Sequence, residues 1–439
     1  MAAAGATAAR GIAGCLVAAL VGTAWLIDPY AQAGFDAPKR LAALLAAGAG
    51  AALLLWQLNT HALRRDLARP DGAAATRGLA RASLVAAALA LAGLLLSALF
   101  ADQPAGAWHS LRVQLLYLLL LPLGAARALH GAAARRVFLA AVVASAVNAL
   151  LSLLQGAGVA LPLAMSQLGG RYPTGALLGN EAYVALACAL LGAAGVALGL
   201  AAAAPRTRWL GWGLCGLAVA VITFNRQTTA AAALLTAGAT LLALRWHGTR
   251  RLLPAAALLA LLLPLSAALP ALRAQTWARL PYTVEQYQQL TTYRLGAWAA
   301  ALEMLRSRPW TGHGPGSYAE QSQTQRFAAE IALRQRLAPA PPGTYFSQAH
   351  QDYLQLAAEA GLPVLLAVLA ALSCLLGGLL RLARRAAALE ARILLGVLVA
   401  GMVAALAWFP LQIPFVAVVL LLACGRAWRL LLDDAEAGA

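Results

Sequence analysis

Apolar runs of roughly 18 or more residues recur along this chain from one end to the other, and they constrain its fold more than any other feature. A bilayer core offers backbone polar groups no water, so a run of that kind is stable there only as a helix. Charged residues make up 11% of the chain, against about 25% in soluble domains, so the runs are not the buried helices of a water-soluble core. A β-barrel is excluded, because barrels show short alternating segments rather than long apolar blocks. The chain reads as an all-α polytopic membrane protein.

Twelve spans fit the pattern, at about 11–27, 41–58, 82–101, 113–128, 137–154, 182–203, 210–224, 230–244, 252–269, 362–380, 393–409 and 415–431. The net charge of +17 is almost all arginine, Lys39 being the only lysine. The arginines gather in alternate short loops (Arg64, Arg65, Arg69, Arg77 and Arg81; Arg135 and Arg136; Arg206 and Arg208; Arg245, Arg250 and Arg251; Arg381, Arg384, Arg385 and Arg392). The positive-inside bias explains that placement without a nucleic-acid partner and puts both termini in the cytoplasm, while richness in Ala, Leu and Arg with little Lys suggests a GC-rich bacterial genome and so a bacterial inner membrane. The first span is expected to stay as its own signal anchor. The five cysteines fall inside spans without metal-ligand spacing, so neither a disulfide framework, a metal site nor a cofactor is expected. Residues 1–270 then hold the first nine spans, 271–351 a large periplasmic loop, and 352–439 the last three spans and a short cytoplasmic tail.

That loop breaks the charge rule, with eight arginines against four glutamates. Loops of this length cross regardless of charge, so the topology stands. Arginine forks match phosphate oxygens, which makes an anionic phosphate ligand the sharp reading and a solvated loop on anionic headgroups the plain one. Arg294 sits in the first turn of an amphipathic helix whose apolar face carries Leu295, Trp298, Leu302 and Leu305. Arg306 and Arg308 suit that helix's C-terminal dipole. The glycine-rich turn TGHGPGS follows, carrying His313. His350 opens a further short helix that stops at Gly361 and Pro363. In a first turn the positive helix end disfavours imidazolium, leaving a neutral histidine able to accept a proton. Arg226 lies in the outer turn FNRQTT, where charge is functional or snorkels to the interface. His109 reads as a surface residue.

Together these pieces resemble the superfamily of O-antigen ligases, O-antigen polymerases and protein O-oligosaccharyltransferases. Its pattern has His, then Asn, Ser or Gln, nine residues, then Gly, met here by His350, Gln351 and Gly361. An arginine after Ser or Asn at an outer turn is met by Asn225 and Arg226. A second arginine before a Trp and a P-x-x-G-x-G turn is met by Arg294, Trp298, Pro309, Gly312 and Gly314. Gly175 and Asn180 match a further element before the sixth span less closely. The resemblance implies about twelve helices with one large late periplasmic loop, in a GT-C-like glycosyltransferase architecture. It implies metal-free, inverting transfer of a glycan from undecaprenyl diphosphate to an acceptor hydroxyl. Arg226 and Arg294 would hold the diphosphate, and His350 would orient or deprotonate the acceptor. Arg171, Asn180, His313 and Gln351 would support substrate binding. The acceptor would be lipid A-core for a ligase, the growing glycan for a polymerase, or a serine, often on pilins, for a protein transferase. The early end after the last span, and Gly179-Asn180-Glu181 where protein transferases often have Gln-Pro-Asn, favour the ligase. A transporter of lipid-linked glycan would instead place charged or broken helices near mid-membrane.

Overall fold

The computed structural model describes residues 2–28, 35–58, 74–159, 174–245, 294–332, 346–385 and 388–437. Among them all regular structure is helical. In chain order the helices are α1 (Ala2–Trp25), α2 (Ala37–Leu58), α3 (Ala74–Leu99), α4 (Pro104–Leu118), α5 (Leu120–Gly124), α6 (Gly131–Gly156), α7 (Glu181–Ala201), α8 (Pro205–Phe224) and α9 (Thr228–Arg245). Then come α10 (Leu295–Ser307), α11 (Tyr318–Ala332), α12 (Asp352–Ala360), α13 (Leu362–Ala383), α14 (Leu389–Ala404) and α15 (Pro414–Ala437). Among the described residues α2, α3, α6, α7, α8, α9, α13 and α15 are long and apolar enough to cross a bilayer, and α1 adds a shorter apolar run, Ala9–Trp25. The chain is an integral membrane protein. The expected span at 252–269 lies outside the described residues, as do Arg171 and the loop stretches 271–293 and 333–345.

Two expected spans are broken. The run at 113–128 splits into α4 and α5 at Leu119. Pro122 explains it, since its ring opposes the carbonyl of Leu118, the last residue of α4. The run at 393–409 is helical only to Ala404, and residues 405–409 turn before a short 3-10 helix, Pro410–Gln412. Pro410 keeps Phe409 out of the helical region, at φ −127° and ψ 62°. The aromatic pair Trp408 and Phe409 therefore sits on a turn at the bundle's end rather than inside a helix.

The centre of the bundle is α7, enclosed by α6, α8, α9 and α14. It is apolar on every face, as a helix without a lipid-facing side must be. Small residues let α8 approach it, and a Cβ at Gly195 would stand 2.7 Å from the Gly211 carbonyl oxygen. Around this centre α1 pairs with α2, α13 with α3, and α15 with α5. Leu45, Leu89 and Leu366 point outward, as lipid-facing leucines should. Helices α10, α11 and α12 form a separate layer with its own core of Ala301, Met304, Tyr318, Ala349 and Ala358. This layer rests on the α3 and α13 ends of the bundle.

Candidate active site

Main-chain pairing between two glycine-bearing turns builds one wall of the site. The backbone N–H of Leu362 donates to the Pro309 carbonyl at 2.8 Å, that of His313 to Ala358 at 3.2 Å, and that of Gly314 to Glu359 at 2.8 Å. The last two occupy carbonyls that the C-terminus of α12 would otherwise leave unpaired. Contact this close excludes side chains. A Cβ at Gly312 would stand 2.3 Å from the Glu359 oxygen, and one at Gly361 would stand 2.4 Å from the Trp310 oxygen. Gly361 also has φ +86° and ψ 165°, a conformation essentially reserved for glycine. The paired glycines thus fix α10 against α12, and with them Arg294 against His350.

A side-chain latch holds the same layer to the end of α3. Both nitrogens of the buried His313 ring are used: Nδ1 is 2.6 Å from Asp102 Oδ2, and Nε2 is 2.9 Å from Ser307 Oγ and 3.1 Å from the Met304 oxygen. The other Asp102 oxygen meets Arg308 at 2.5 Å. Beneath it the wholly buried Glu359 carboxyl accepts from the N–H groups of Gly316 at 2.8 Å and Tyr318 at 3.4 Å, and from Gln355 Nε2 at 3.0 Å. Burial raises its pKa and these hydrogen bonds lower it, with burial ahead. His313 was expected to support substrate binding, and its hydrogen bonds here join α10 to the turn after α3.

His350 does not lie in the first turn of α12. That helix begins at Asp352, and Gln351 is its N-cap, accepting from the Leu354 N–H at 2.9 Å. The Asn, Ser or Gln that follows the histidine in the motif is thereby read as a capping position. The cap sets Gln351 extended and leaves His350 just before it, at φ +54°. Among the described non-glycine residues only Ala176, Arg226 and His350 have positive φ. Strain of this kind costs about 1–3 kcal/mol and gathers at functional sites.

An aromatic box receives the His350 ring, with Phe409 at 4.6 Å and Phe346 and Trp408 at 5.3 Å between centroids, all edge-on. Trp408 stacks on Phe409 at 5.0 Å. The Arg294 guanidinium lies over the Trp408 ring, 4.0 Å from its centroid, and donates to the Ala407 carbonyl at 3.2 Å. Arg294 is therefore held by the turn that boxes His350. Burial, and next the charge of Arg294, push the His350 pKa down to about 3, so the ring is neutral. Burial brings Arg294 down to about 10, where it is still a cation at neutral pH. Among the described residues His350 Nδ1, Trp408 Nε1 and Trp298 Nε1 are buried without a hydrogen-bond partner. Sequence reasoning missed Trp408 and Phe409, although Pro410 directly after them marked a helix end.

Asp352 ties the box to α12. Its N–H reaches the carbonyls of Ala405 at 3.1 Å and Trp408 at 3.2 Å, and its Oδ2 accepts from the Leu411 N–H at 2.9 Å. Burial raises its carboxyl to about 7; the Leu411 hydrogen bond opposes the rise and the charge of Glu359 adds to it.

Arg226 stands on the adjoining part of the same end. It is exposed, at φ +52°, in the turn between α8 and α9. Its neighbour Asn225 donates to Ser152 Oγ at 3.1 Å, and Ser152 donates to the Thr174 carbonyl at 2.7 Å. Gln155 and Asn148, on the same buried face of α6, accept from the N–H groups of Ala176 at 2.8 Å and Leu177 at 3.0 Å. A polar stripe inside α6 thus binds the Arg226 turn to the Gly175–Asn180 segment. Asn180 caps α7, accepting from the Ala182 N–H at 2.8 Å. Three residues on, Tyr183 meets Phe409 edge-on at 6.1 Å. A continuous run of contacts therefore leads from Arg226 to the His350 box. No group of three or more His, Cys, Asp and Glu side chains among the described residues is placed to hold a metal ion.

Residues 213–369 match the family model described as O-antigen ligase. The matched stretch runs from α8 to α13, taking in Arg226, Arg294 and His350 and stopping short of Trp408. No curated protein matches the chain.

Proposed function

We propose that this member of the O-antigen ligase and polymerase superfamily, whose members are membrane glycosyltransferase-like enzymes, transfers a glycan from a lipid diphosphate to an acceptor hydroxyl. The observation that carries the reading is the pairing of a neutral, strained His350 with a cationic Arg294, both in contact with the Trp408 ring. The donor is undecaprenyl-diphosphate-linked glycan, the acceptor lipid A-core, and the site faces the periplasm of the inner membrane. The Gly179-Asn180-Glu181 sequence supports the ligase over the protein transferase.

In this reaction the acceptor oxygen attacks the anomeric carbon from the face opposite the diphosphate, and the configuration inverts. The carbon–oxygen bond to the diphosphate breaks and its electron pair stays on the phosphate oxygen. Arg294 and Arg226 stabilise that charge. The acceptor proton passes to His350. A histidine at about 3 is a weak base, and one reason for the low value is the nearby Arg294 cation. A diphosphate bound at Arg294 cancels that cation and adds negative charge, which raises the basicity of His350. Donor binding then readies the base. Placement at helix ends, away from mid-membrane, supports transfer over passage.

The test is transfer by the purified protein from undecaprenyl-diphosphate glycan, offered lipid A-core, pilin or carrier-linked glycan. Product on lipid A-core is expected, and His350→Ala, inserted normally, makes none. Product only on pilin moves the assignment to the protein transferases, and a longer carrier-linked glycan moves it to the polymerases. Movement of donor across a vesicle membrane without transfer sinks the enzyme reading.

A further inference from the structure

At the opposite end of the bundle, a cavity of about 460 Å³ opens between the C-terminus of α7, the first turns of α8 and the end of α9. Gly199, Leu200, Pro205, Arg208, Trp209, Trp212 and Arg245 line it. A second, smaller cavity shares Leu200 and Arg245 and adds Arg392. Among the described residues neither lining contains an acidic one. Three arginines thus converge on one basic groove.

Their bonding sets them apart from other arginines at this end. Arg426 pairs with Glu390, Arg429 with Asp433, and Arg385 with Asp434. Arg208 instead donates to the Ala203 carbonyl at 3.1 Å, Arg245 to the Leu200 carbonyl, and Arg392 to those of Ala383 and Arg385 at 2.8 and 2.9 Å. Those carbonyls lie at the ends of α7 and α13, which orients each guanidinium without neutralising it. Among the described residues none of the three meets a carboxylate. Two indoles stand beside them, Trp209 at 75% exposure and Trp212 at 41%. A Cβ at Gly199 would fall 2.6 Å from the Trp212 ring, so the glycine seats that indole against α7.

We propose that this groove binds an anionic phospholipid of the surrounding leaflet. Arg208 and Arg245 take the phosphate, Arg392 extends the basic surface, and Trp209 and Trp212 flank the glycerol and upper acyl chains. The volume suits a headgroup with its glycerol. Unneutralised cations between transmembrane helices are the chemistry that recognises such headgroups, and indoles prefer that depth. This site is separate from the transfer site and does not depend on the transfer reading.

The test uses the full chain in phosphatidylcholine bilayers, with a minority of dibrominated phosphatidylglycerol or dibrominated phosphatidylcholine as quencher. The fluorescence difference between the wild type and a Trp209→Phe/Trp212→Phe variant isolates the two indoles. Half-quenching is expected at a several-fold lower fraction of brominated phosphatidylglycerol than of brominated phosphatidylcholine. Arg208→Gln with Arg245→Gln brings the two curves together, while Arg206→Gln, outside the lining, leaves them apart. Coincident curves for the wild type overturn the proposal, and that comparison needs no variant in either arginine. A preference that survives loss of both arginines overturns it as well.

Discussion

Replacing Trp408 by leucine tests whether the turn after α14 organises the transfer site. Leucine keeps apolar bulk in a half-buried position and removes the ring face. The structure gives that face two tasks, stacking Arg294 at 4.0 Å and boxing His350 at 5.3 Å. A desolvated cation–π contact is worth about 2 kcal/mol, and an edge-to-face pair adds about 0.5–1.5 kcal/mol. Losing both frees Arg294 to leave its place and His350 to relax from its left-handed conformation. If half or more of that energy positions the transition state, transfer slows roughly 10- to 400-fold, corresponding to about 1.3–3.5 kcal/mol. Trp408→Phe keeps a smaller face and should recover most of the rate. The assay is single-turnover transfer with saturating donor, run beside a thermal unfolding curve in the same detergent. The reasoning is refuted if leucine transfers within twofold of the wild type. It is also refuted if phenylalanine is no better than leucine while both unfold at the wild-type temperature.

The acid limb of kcat should lie at higher pH than that of kcat/KM, because His350 sits at about 3 in the free protein and bound diphosphate raises it; superimposed limbs contradict donor gating. Asp352, raised to about 7, contributes stability that is fully present below its unfolded pKa and is lost as pH rises through 7. Asp352→Asn should therefore match the wild type in thermal stability near pH 4 and exceed it increasingly toward pH 8, and a gap independent of pH speaks against that account. Gly361→Ala forces a Cβ to 2.4 Å from the Trp310 oxygen at φ +86°, so an unfolding titration should show a loss of roughly 2–4 kcal/mol; a loss under 1 kcal/mol means the pairing is looser than described. At Arg226, φ +52°, glycine should be more stable than alanine by about 1 kcal/mol, the reverse of the usual order, with neither variant competent in transfer; alanine equal to glycine removes the strain argument.

Local chemistry decided what could be read in advance. Long apolar runs survive as helices wherever no proline interrupts them, so α2, α3, α6, α7, α8, α9, α13 and α15 were legible, with ends up to eight residues from those expected. Pro122 and Pro410 were present in the sequence, yet hydropathy averages over a window and hides a single residue that cannot donate. The cost of that averaging was the site's aromatic floor, since Trp408 and Phe409 looked like the tail of a span. Arg226, Arg294 and His350 were legible through the motifs that carry the family resemblance, not from charge or polarity alone. The support of Arg226 was not. Asn148, Ser152 and Gln155 recur at helical spacing on one face of α6, but a few polar side chains barely lower the hydropathy of a long helix. Gln351, Asn180 and His313 were read as supporting substrate binding, and the structure gives them capping and latching bonds. Polarity alone does not separate a group that meets substrate from one that satisfies the backbone beside it.

The same distinction accounts for how the arginines divide. Arg308, Arg385 and Arg426 have carboxylate partners and secure contacts between segments far apart in sequence. Arg294 is held by an indole face and a carbonyl, and Arg208 and Arg245 by carbonyls. A carbonyl or a ring orients a guanidinium while leaving its charge available, whereas a carboxylate consumes it. The carboxylate pairs close contacts within the structure, and the arginines held by neutral acceptors alone keep their charge available. By that rule both ends of the bundle present directed, uncancelled arginine. At one end it lies beside a neutral histidine, and at the other beside exposed indoles.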